Sequence, residues 1–275
     1  MPKTVLITGS TDGIGLETAK RLAALGHSVL LHGRSSEKQA HAKKAVSEAS
    51  QGNVVTGYLA DLSNMAEIVR LADTVRADHS SLDVIINNAG VYKVPHPRTD
   101  DGLDVRFAVN TLAPVLLTRN LMSRLDASGR VVNLSSAAQS PVDLDALAGA
   151  GQLPDGAAYA QSKLALTMWS RELALELGDG GPAIIAVNPG SLLGTNMVRD
   201  AFGMAGGDVG KGADILCRAA LDDEFATASG LYFDNDSGGF ADPHPDALDA
   251  GKTASVVRAI DASLTRILER NGTPQ

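Results

Sequence analysis

Seven short apolar runs, at 5–8, 28–32, 54–59, 84–87, 130–135, 183–188 and 230–233, alternate along the chain with longer Ala-rich amphipathic stretches. A brief run that is apolar throughout and bounded by Gly, Asn or Ser has the pattern of a strand covered on both faces. The stretches between, 15–25, 36–49, 65–79, 103–123, 157–177, 210–220 and 245–269, read as helices. Several carry visible punctuation. Gly26 follows the first where a left-handed residue is wanted, Asn64 and Glu67 have capping-box spacing, and Gly178 ends the fifth. Strict strand–helix alternation requires right-handed crossovers, hence a parallel sheet with helices on both faces. The expected fold is one doubly wound α/β domain over 1–275, with a parallel sheet of about seven strands. No repeat or linker divides it.

Composition narrows the function classes. The 275 residues include 24 Lys plus Arg against 32 Asp plus Glu, a net charge of -8. That balance, without a basic block, argues against nucleic acid or an anionic membrane as the main partner. The single cysteine, Cys217, excludes an internal disulfide framework and any cysteine-based zinc site, and reads as a small core residue. The six histidines show no metal-ligand spacing, so no metal is expected, and His32 reads as structural. The first apolar run is too brief for a signal peptide, and no later stretch approaches the length of a membrane span. A soluble, cytoplasmic protein is expected. Two motif fragments are set aside. Gly251-Lys252-Thr253 resembles the end of a phosphate-binding loop, but Asp246 stands where a glycine is required. Asp234 to Gly239 resembles a calcium loop, but Pro245 stands where a bidentate Glu is needed, so it reads as a Gly-rich turn.

In a doubly wound sheet, ligands bind outside the carboxyl ends of the strands. The first run leads into Thr8-Gly9-Ser10-Thr11-Asp12-Gly13-Ile14-Gly15 and then a helix. Glycines there permit positive φ, close backbone approach to a pyrophosphate, and tight helix packing, while the helix N-terminus offers free N–H groups. The second run ends His32-Gly33-Arg34-Ser35-Ser36, with no carboxylate for a ribose 2′-hydroxyl. Arg34 is a forked cation suited to a 2′-phosphate, so NADP(H) is favoured, with NAD(H) as the alternative. Asp61 and Leu62 follow the third run, at the adenine edge. Asn88, Ala89 and Gly90 follow the fourth, small enough to let a cofactor come close.

The fifth run continues into Ser135-Ser136, and the helix after it carries Tyr159 and Lys163, four apart and so on one face. A phenol is a poor acid or base near neutrality, and a neighbouring ammonium lowers its pKa. Ser136, at a strand's carboxyl end, can hold a substrate oxygen beside it.

Together, Thr8-Gly9-x-x-x-Gly13-Ile14-Gly15, Asn87-Asn88-Ala89-Gly90, Asn110, Ser136, Tyr159-x-x-x-Lys163 and Asn188-Pro189-Gly190 resemble the short-chain dehydrogenase/reductase family. The sequence is most similar to its retinol dehydrogenase and protochlorophyllide reductase group, through the residues around Tyr159, Trp169-Ser170-Arg171-Glu172-Leu173 and Gly230-Leu231-Tyr232-Phe233. The resemblance implies a Rossmann-fold NAD(P)-dependent oxidoreductase acting on a carbonyl or alcohol, including lipophilic ones. Residues 1–135 would mainly bind the dinucleotide, and 136–275 would supply the catalytic helix, substrate loop and last helix. In the family pattern Tyr159 is the general acid/base, Lys163 binds the nicotinamide ribose and lowers the Tyr159 pKa, and Ser136 polarises the carbonyl. Asn110 holds a water in the proton relay. Pro189, Gly190, Leu192 and Thr195 join Gly9 to Gly15, Arg34, Asp61, Leu62 and Asn88 to Gly90 as cofactor contacts.

Two departures stand out. Residues 141–156 are an insertion ahead of Tyr159, and one extra residue precedes Thr195, which unsettles its contact with the nicotinamide amide. A homodimer or homotetramer through the 103–123 and 157–177 helices is a family expectation. The stretch 191–210, rich in Gly and in Leu, Met and Phe, is expected to be a mobile lid over the substrate. A non-catalytic nucleotide-binding regulator is the competing reading, and an extended sugar-nucleotide epimerase a third; the complete Asn110, Ser136, Tyr159 and Lys163 set favours an enzyme over the first, and the short segment after the last run disfavours the second.

Overall fold

The computed structural model describes residues 1–50 and 52–272. In chain order the main elements are β1 (Thr4–Ile7), α1 (Gly13–Ala24), β2 (Ser28–Gly33), α2 (Ser36–Ala49), β3 (Val55–Leu59), α3 (Met65–Asp78) and β4 (Val84–Asn87). Next come α4 (Val105–Phe107), a π turn (Ala108–Leu112), α5 (Ala113–Leu121), β5 (Arg130–Leu134), α6 (Leu144–Leu147), α7 (Asp155–Leu177) and β6 (Ala183–Asn188). The chain finishes with α8 (Asn196–Phe202), α9 (Val209–Leu221), β7 (Tyr232–Asp234), β8 (Gly239–Ala241) and α10 (Ala250–Arg270).

The strands form one sheet in the order β3-β2-β1-β4-β5-β6-β7-β8, parallel through β7. Strand alternation divides the apolar residues between two layers. Leu30, Leu6, Ile85, Val131 and Ile184 align in register across the sheet and bury against α3, α5, α7 and α10. Leu31, Ile7, Ile86, Val132 and Ile185, one residue on, face the opposite layer with α1, α2 and α9. Both faces are covered, which is why the strands read as apolar runs rather than alternating ones. The chain order reverses between β1 and β4, and the crevice at their carboxyl ends is the switch point where such sheets bind ligands.

The sheet has eight strands, one more than expected. The Gly-rich turn after Asp234 is a hairpin connection, and β8 runs antiparallel to β7 at the edge. A three-residue strand carries too little pattern to be read from sequence. Its shortness also limits the exposed hydrogen-bonding edge. The expected helix at 103–123 is broken by the π turn, and α10 starts at Ala250 because the Asp249 carboxylate accepts from Lys252 N at 2.9 Å. Asp12 likewise moves the start of α1 to Gly13, whose N–H it accepts at 2.8 Å. Within the 141–156 insertion, Asp143 caps the short α6.

α10 packs on α7, α6 and α3, burying Val256, Ile260 and Leu264, and Asp261 pairs with Arg119 of α5 at 2.7 Å. Among the described residues no helix is long and apolar enough to cross a membrane.

Candidate active site

The glycine turn after β1 is held from three sides. Gly9 adopts φ 63°, and a Cβ there would stand 2.9 Å from Ala89 Cα; at Gly15 it would stand 2.4 Å from Asn88 Nδ2 and 2.5 Å from Gly9 O. Both positions require glycine on packing grounds alone. Asn88 Nδ2 donates to the carbonyls of Thr8 (2.8 Å) and Gly9 (3.0 Å), and Ala89 N donates to Thr8 Oγ1 at 3.1 Å. Ser10 is fully buried, its hydroxyl donating to Ile7 O and accepting from His32 N, each at 2.9 Å. His32 Nδ1 accepts from Gly9 N at 3.2 Å, so its other nitrogen, 3.1 Å from Ala60 O, carries the proton. Burial lowers the His32 pKa to about 4, keeping the ring in the neutral form this pairing needs.

Several expected cofactor contacts therefore spend their side chains on the protein. Ser10 and Asn88 brace the turn. Asp12 caps α1 and also accepts from Asn196 of α8. Asp61 accepts from Ser63 N and Oγ at 2.8 and 2.7 Å, while Leu62 is buried in the core. For Ser10 and Leu62 only the backbone can face a ligand. Thr11 packs against Gly33, and Gly13, with φ 55°, lies 3.4 Å from the Thr195 methyl when given a Cβ. Ile14 packs beside Gly212.

At the end of β2, Ser35 is committed to capping α2 through Lys38 N at 3.3 Å, whereas Arg34 is exposed and has no ion pair among the described residues. Arg34 opens onto a cleft of about 660 Å³ whose walls include Asp61, Val91, Arg98 and Val109. Arg34 thus presents a guanidinium without an ion pair among the described residues just past the end of β2.

The catalytic candidates converge at the carboxyl ends of β4 and β5. Lys163 is buried and donates through Nζ to Leu134 O at 2.6 Å, lying 5.7 Å from the Tyr159 ring centroid. Burial lowers its pKa to about 8. Burial also pushes the Tyr159 phenol above its ordinary value, a hydrogen bond with Ser136 pulling the other way. Asn110 sits in the π turn, a device that recurs at functional sites. Its Oδ1 accepts from Val91 N at 2.8 Å, and its Nδ2 donates to Val91 O (3.0 Å) and Ser162 Oγ (2.9 Å). A methyl on Gly90 would lie 3.4 Å from Asn110 Oδ1 and 3.5 Å from Lys163 Nζ, so Gly90 keeps open the space between these two groups. Ser136 Oγ accepts from Ala138 N at 3.1 Å, and its carbonyl accepts from Tyr232 Oη at 3.2 Å.

The stretch after β6 is built rather than loose. Gly194 N donates to Gly207 O and Gly207 N to Leu192 O, both at 2.7 Å, closing the root of the loop. Leu192 is the one non-glycine residue with positive φ (51°) among the described residues. Thr195 caps α8 through Val198 N at 3.3 Å and lies against the glycine turn. Pro189 and Gly190 are tied down by residues the sequence reading had set aside. Asn235 Nδ2 donates to Pro189 O at 2.9 Å, and Asp236 accepts from Asn188 Nδ2 (2.9 Å) and Ser191 N (2.8 Å). The Gly-rich hairpin turn thus anchors the cofactor-side loop. Tyr92 was also missed: its ring centroid lies 4.9 Å from that of Tyr159. Nothing in its local pattern marks it, because the pairing spans distant elements. The buried guanidinium of Arg106 on α4 pairs with Asp104 (2.7 Å) and with the partly exposed Asp155 (2.9 Å) in the first turn of α7.

Comparison with known proteins agrees with this geometry. A family model of the short chain dehydrogenases matches residues 3–205. Human retinol dehydrogenase 13 is 33% identical over 251 residues, covering 84% of this chain and 76% of that protein. A crystal structure of an uncharacterized protein from Mycobacterium paratuberculosis superposes with a TM-score of 0.78 at 28% identity, covering 96% of this chain and 93% of that one. A short chain dehydrogenase from Burkholderia cenocepacia J2315 in complex with NADP superposes with a TM-score of 0.68 at 26% identity, covering 85% and 95%. The chain belongs to the short-chain dehydrogenase family, in its retinol dehydrogenase group, and is an oxidoreductase of that family.

Proposed function

We propose that this protein is an NADP(H)-dependent reductase or dehydrogenase of carbonyl and alcohol substrates, lipophilic ones included, with Tyr159 as its general acid/base. The observation that carries the reading is the convergence of Tyr159, Lys163 and Ser136 at the strand ends beside a glycine turn whose Cβ positions are filled by protein. The residues fit a dinucleotide. Gly9, Gly13 and Gly15 leave backbone at the N-terminus of α1, where N–H groups and the helix dipole favour phosphates. On this reading Thr11, Asp12, Ile14, Gly90, Pro189, Gly190 and Thr195 would join them in holding the dinucleotide.

The nicotinamide, when bound, supplies or accepts the hydride. In the reductive direction Tyr159 Oη gives its proton to the carbonyl oxygen, and Ser136 Oγ donates a hydrogen bond to that oxygen. Lys163 holds positive charge beside the phenol and steadies the phenolate left behind. Asn110 Oδ1, next to Gly90 and Lys163 Nζ, can hold a water through which the phenolate regains its proton. Asn110 and Lys163 are buried, which strengthens the interactions that they make. In the oxidative direction the same atoms act in reverse.

Cofactor preference rests on Arg34, exposed and unpaired where NAD-selective sites hold a carboxylate. The relative carrying NADP supports the same choice. The test is kcat/KM for NADPH and NADH on a panel of aldehydes and ketones, in the wild type and in Arg34→Asp. The expected result is a preference for NADPH that reverses in the variant by about tenfold or more. Equal use of both cofactors by the wild type would overturn the assignment.

A further inference from the structure

α8 spans the switch-point crevice, and its two ends are fastened by different chemistry. At the first, Leu193 is buried against Gly212 and Ile14, the root is closed by the Gly194–Gly207 bonds, and Asn196 donates to Asp12. Met197 reaches Gly90. At the other end Phe202 is half exposed and is followed by Gly203 at φ 67°. There Phe202 makes a ring pair with Tyr92, 5.3 Å centroid to centroid and tilted 52°. Tyr92 in turn lies 4.9 Å from Tyr159, tilted 51°. A third layer between two rings would need about 7 Å, twice a carbon–carbon contact, so nothing passes between Tyr92 and Tyr159. A substrate group on the reacting carbon that extends toward the Tyr92 side of Tyr159 therefore meets the faces and edges of Tyr92 and Phe202. The Tyr92 hydroxyl occupies room that exists because residue 156 is glycine: a Cβ there would stand 3.1 Å from it.

We propose that Tyr92 and Phe202 are the specificity-determining residues of this site: an aromatic wall in series with Tyr159 that favours substrates carrying a flat π substituent on the reacting carbon over those carrying a compact branched alkyl group. The inference rests on the oxidoreductase reading above. A flat group can stack on tilted rings, gaining an offset or edge-to-face contact, while a branched one must push Phe202 off Tyr92. Because the first end of α8 is fastened to the cofactor turn, that push opens only the Phe202 end.

The experiment compares benzaldehyde with 2,2-dimethylpropanal, both without α-hydrogens, as substrates with NADPH. Intrinsic reactivity cancels when the ratio of the two kcat/KM values is compared between proteins. Tyr92→Ala and Phe202→Ala are each expected to lower the benzaldehyde preference about three- to tenfold, the size of one aromatic pair. Tyr92→Phe, which keeps the ring, should hold the preference within about twofold whatever its absolute rate. A preference unchanged in both alanine variants overturns the proposal. A second measurement needs no substrate: hydrogen exchange of the α8 amides should speed about three- to tenfold in Tyr92→Ala, and unchanged exchange overturns the proposal by itself. If the wild type reduces neither aldehyde, the proposed function is what falls, and the exchange result still decides whether Tyr92 holds α8.

Discussion

The turn after β1 and the stretch after β6 are both glycine-rich, yet glycine serves opposite ends in them. In the turn, Gly9 and Gly15 are pressed by Ala89, Asn88 and each other, and His32 of β2 and Asn88 just past β4 fasten the backbone. In the stretch after β6, Gly194 and Gly206 are pressed together at the root, with a Cβ on Gly206 only 2.7 Å from Gly194 Cα, while Gly203 meets nothing within 4 Å. The first region is a rigid cradle; the second is rigid at its base and meets a pair of rings, Tyr92 and Phe202, at its tip. Glycine density alone does not separate these cases. What separates them is whether the neighbouring atoms leave room for a Cβ.

If chemistry belongs to the catalytic side and binding to the turn, Tyr159→Phe should lower kcat by about 10²- to 10⁴-fold while leaving the NADPH dissociation constant within about threefold. Stopped-flow or fluorescence titration against steady-state rates separates the two; a variant keeping a tenth of kcat would end the assignment. The cradle itself should show acid sensitivity. His32 is neutral in the fold with its pKa near 4, against an ordinary 6.5 in the unfolded chain, so the unfolded state takes up the proton first as pH falls. Stability should therefore drop between pH 6.5 and 4, by about 3 kcal/mol from this group, and rise again with pH through the same window. Urea denaturation at several pH values should show a shallower acid decline in His32→Gln. An equal decline would mean that the ring does not hold the turn.

Smaller effects test the two kinds of glycine directly. Gly15→Ala puts a methyl against Asn88 Nδ2 and Gly9 O, and should destabilise by about 1–3 kcal/mol and weaken cofactor binding about tenfold or more. Gly203→Ala has open space but a left-handed backbone, so it should cost about 1 kcal/mol and leave cofactor affinity unchanged. Thermal unfolding with and without NADPH distinguishes them: a large loss of cofactor-induced stabilisation belongs to Gly15 alone. Comparable losses at both positions would erase the contrast between the regions.

Most of the fold was legible because its cause is local. Each parallel strand is apolar on both faces, and Asn64 caps α3 through Ala66 N and Glu67 N as its spacing suggests. Boundaries moved where a single side chain outbid the pattern, as Asp12 did for α1 and Asp249 for α10. β8 escaped because three residues cannot display a period. At the site, Tyr159 and Lys163 share a face through helix geometry, which four-residue spacing already contains. The Lys163 bond to Leu134 O crosses 29 residues and does not follow from that spacing.

By itself, then, the sequence determined the layered α/β architecture, the glycine turn at the switch point and the helix bearing Tyr159 and Lys163, since each follows from short-range periodicity, sterics or spacing. Only the tertiary structure decided how the polar groups are spent. Ser10, Asp61 and Asn88 go to the protein, Asp236 anchors the β6 loop, and Arg34 makes no ion pair among the described residues. It also decided that α8 reaches from Asp12, 184 positions before Asn196, to Tyr92. A hydrogen-bonding or aromatic side chain carries the same local signature whatever partner it finds. The partner is chosen by which distant elements the packed sheet and helices bring within a few ångströms.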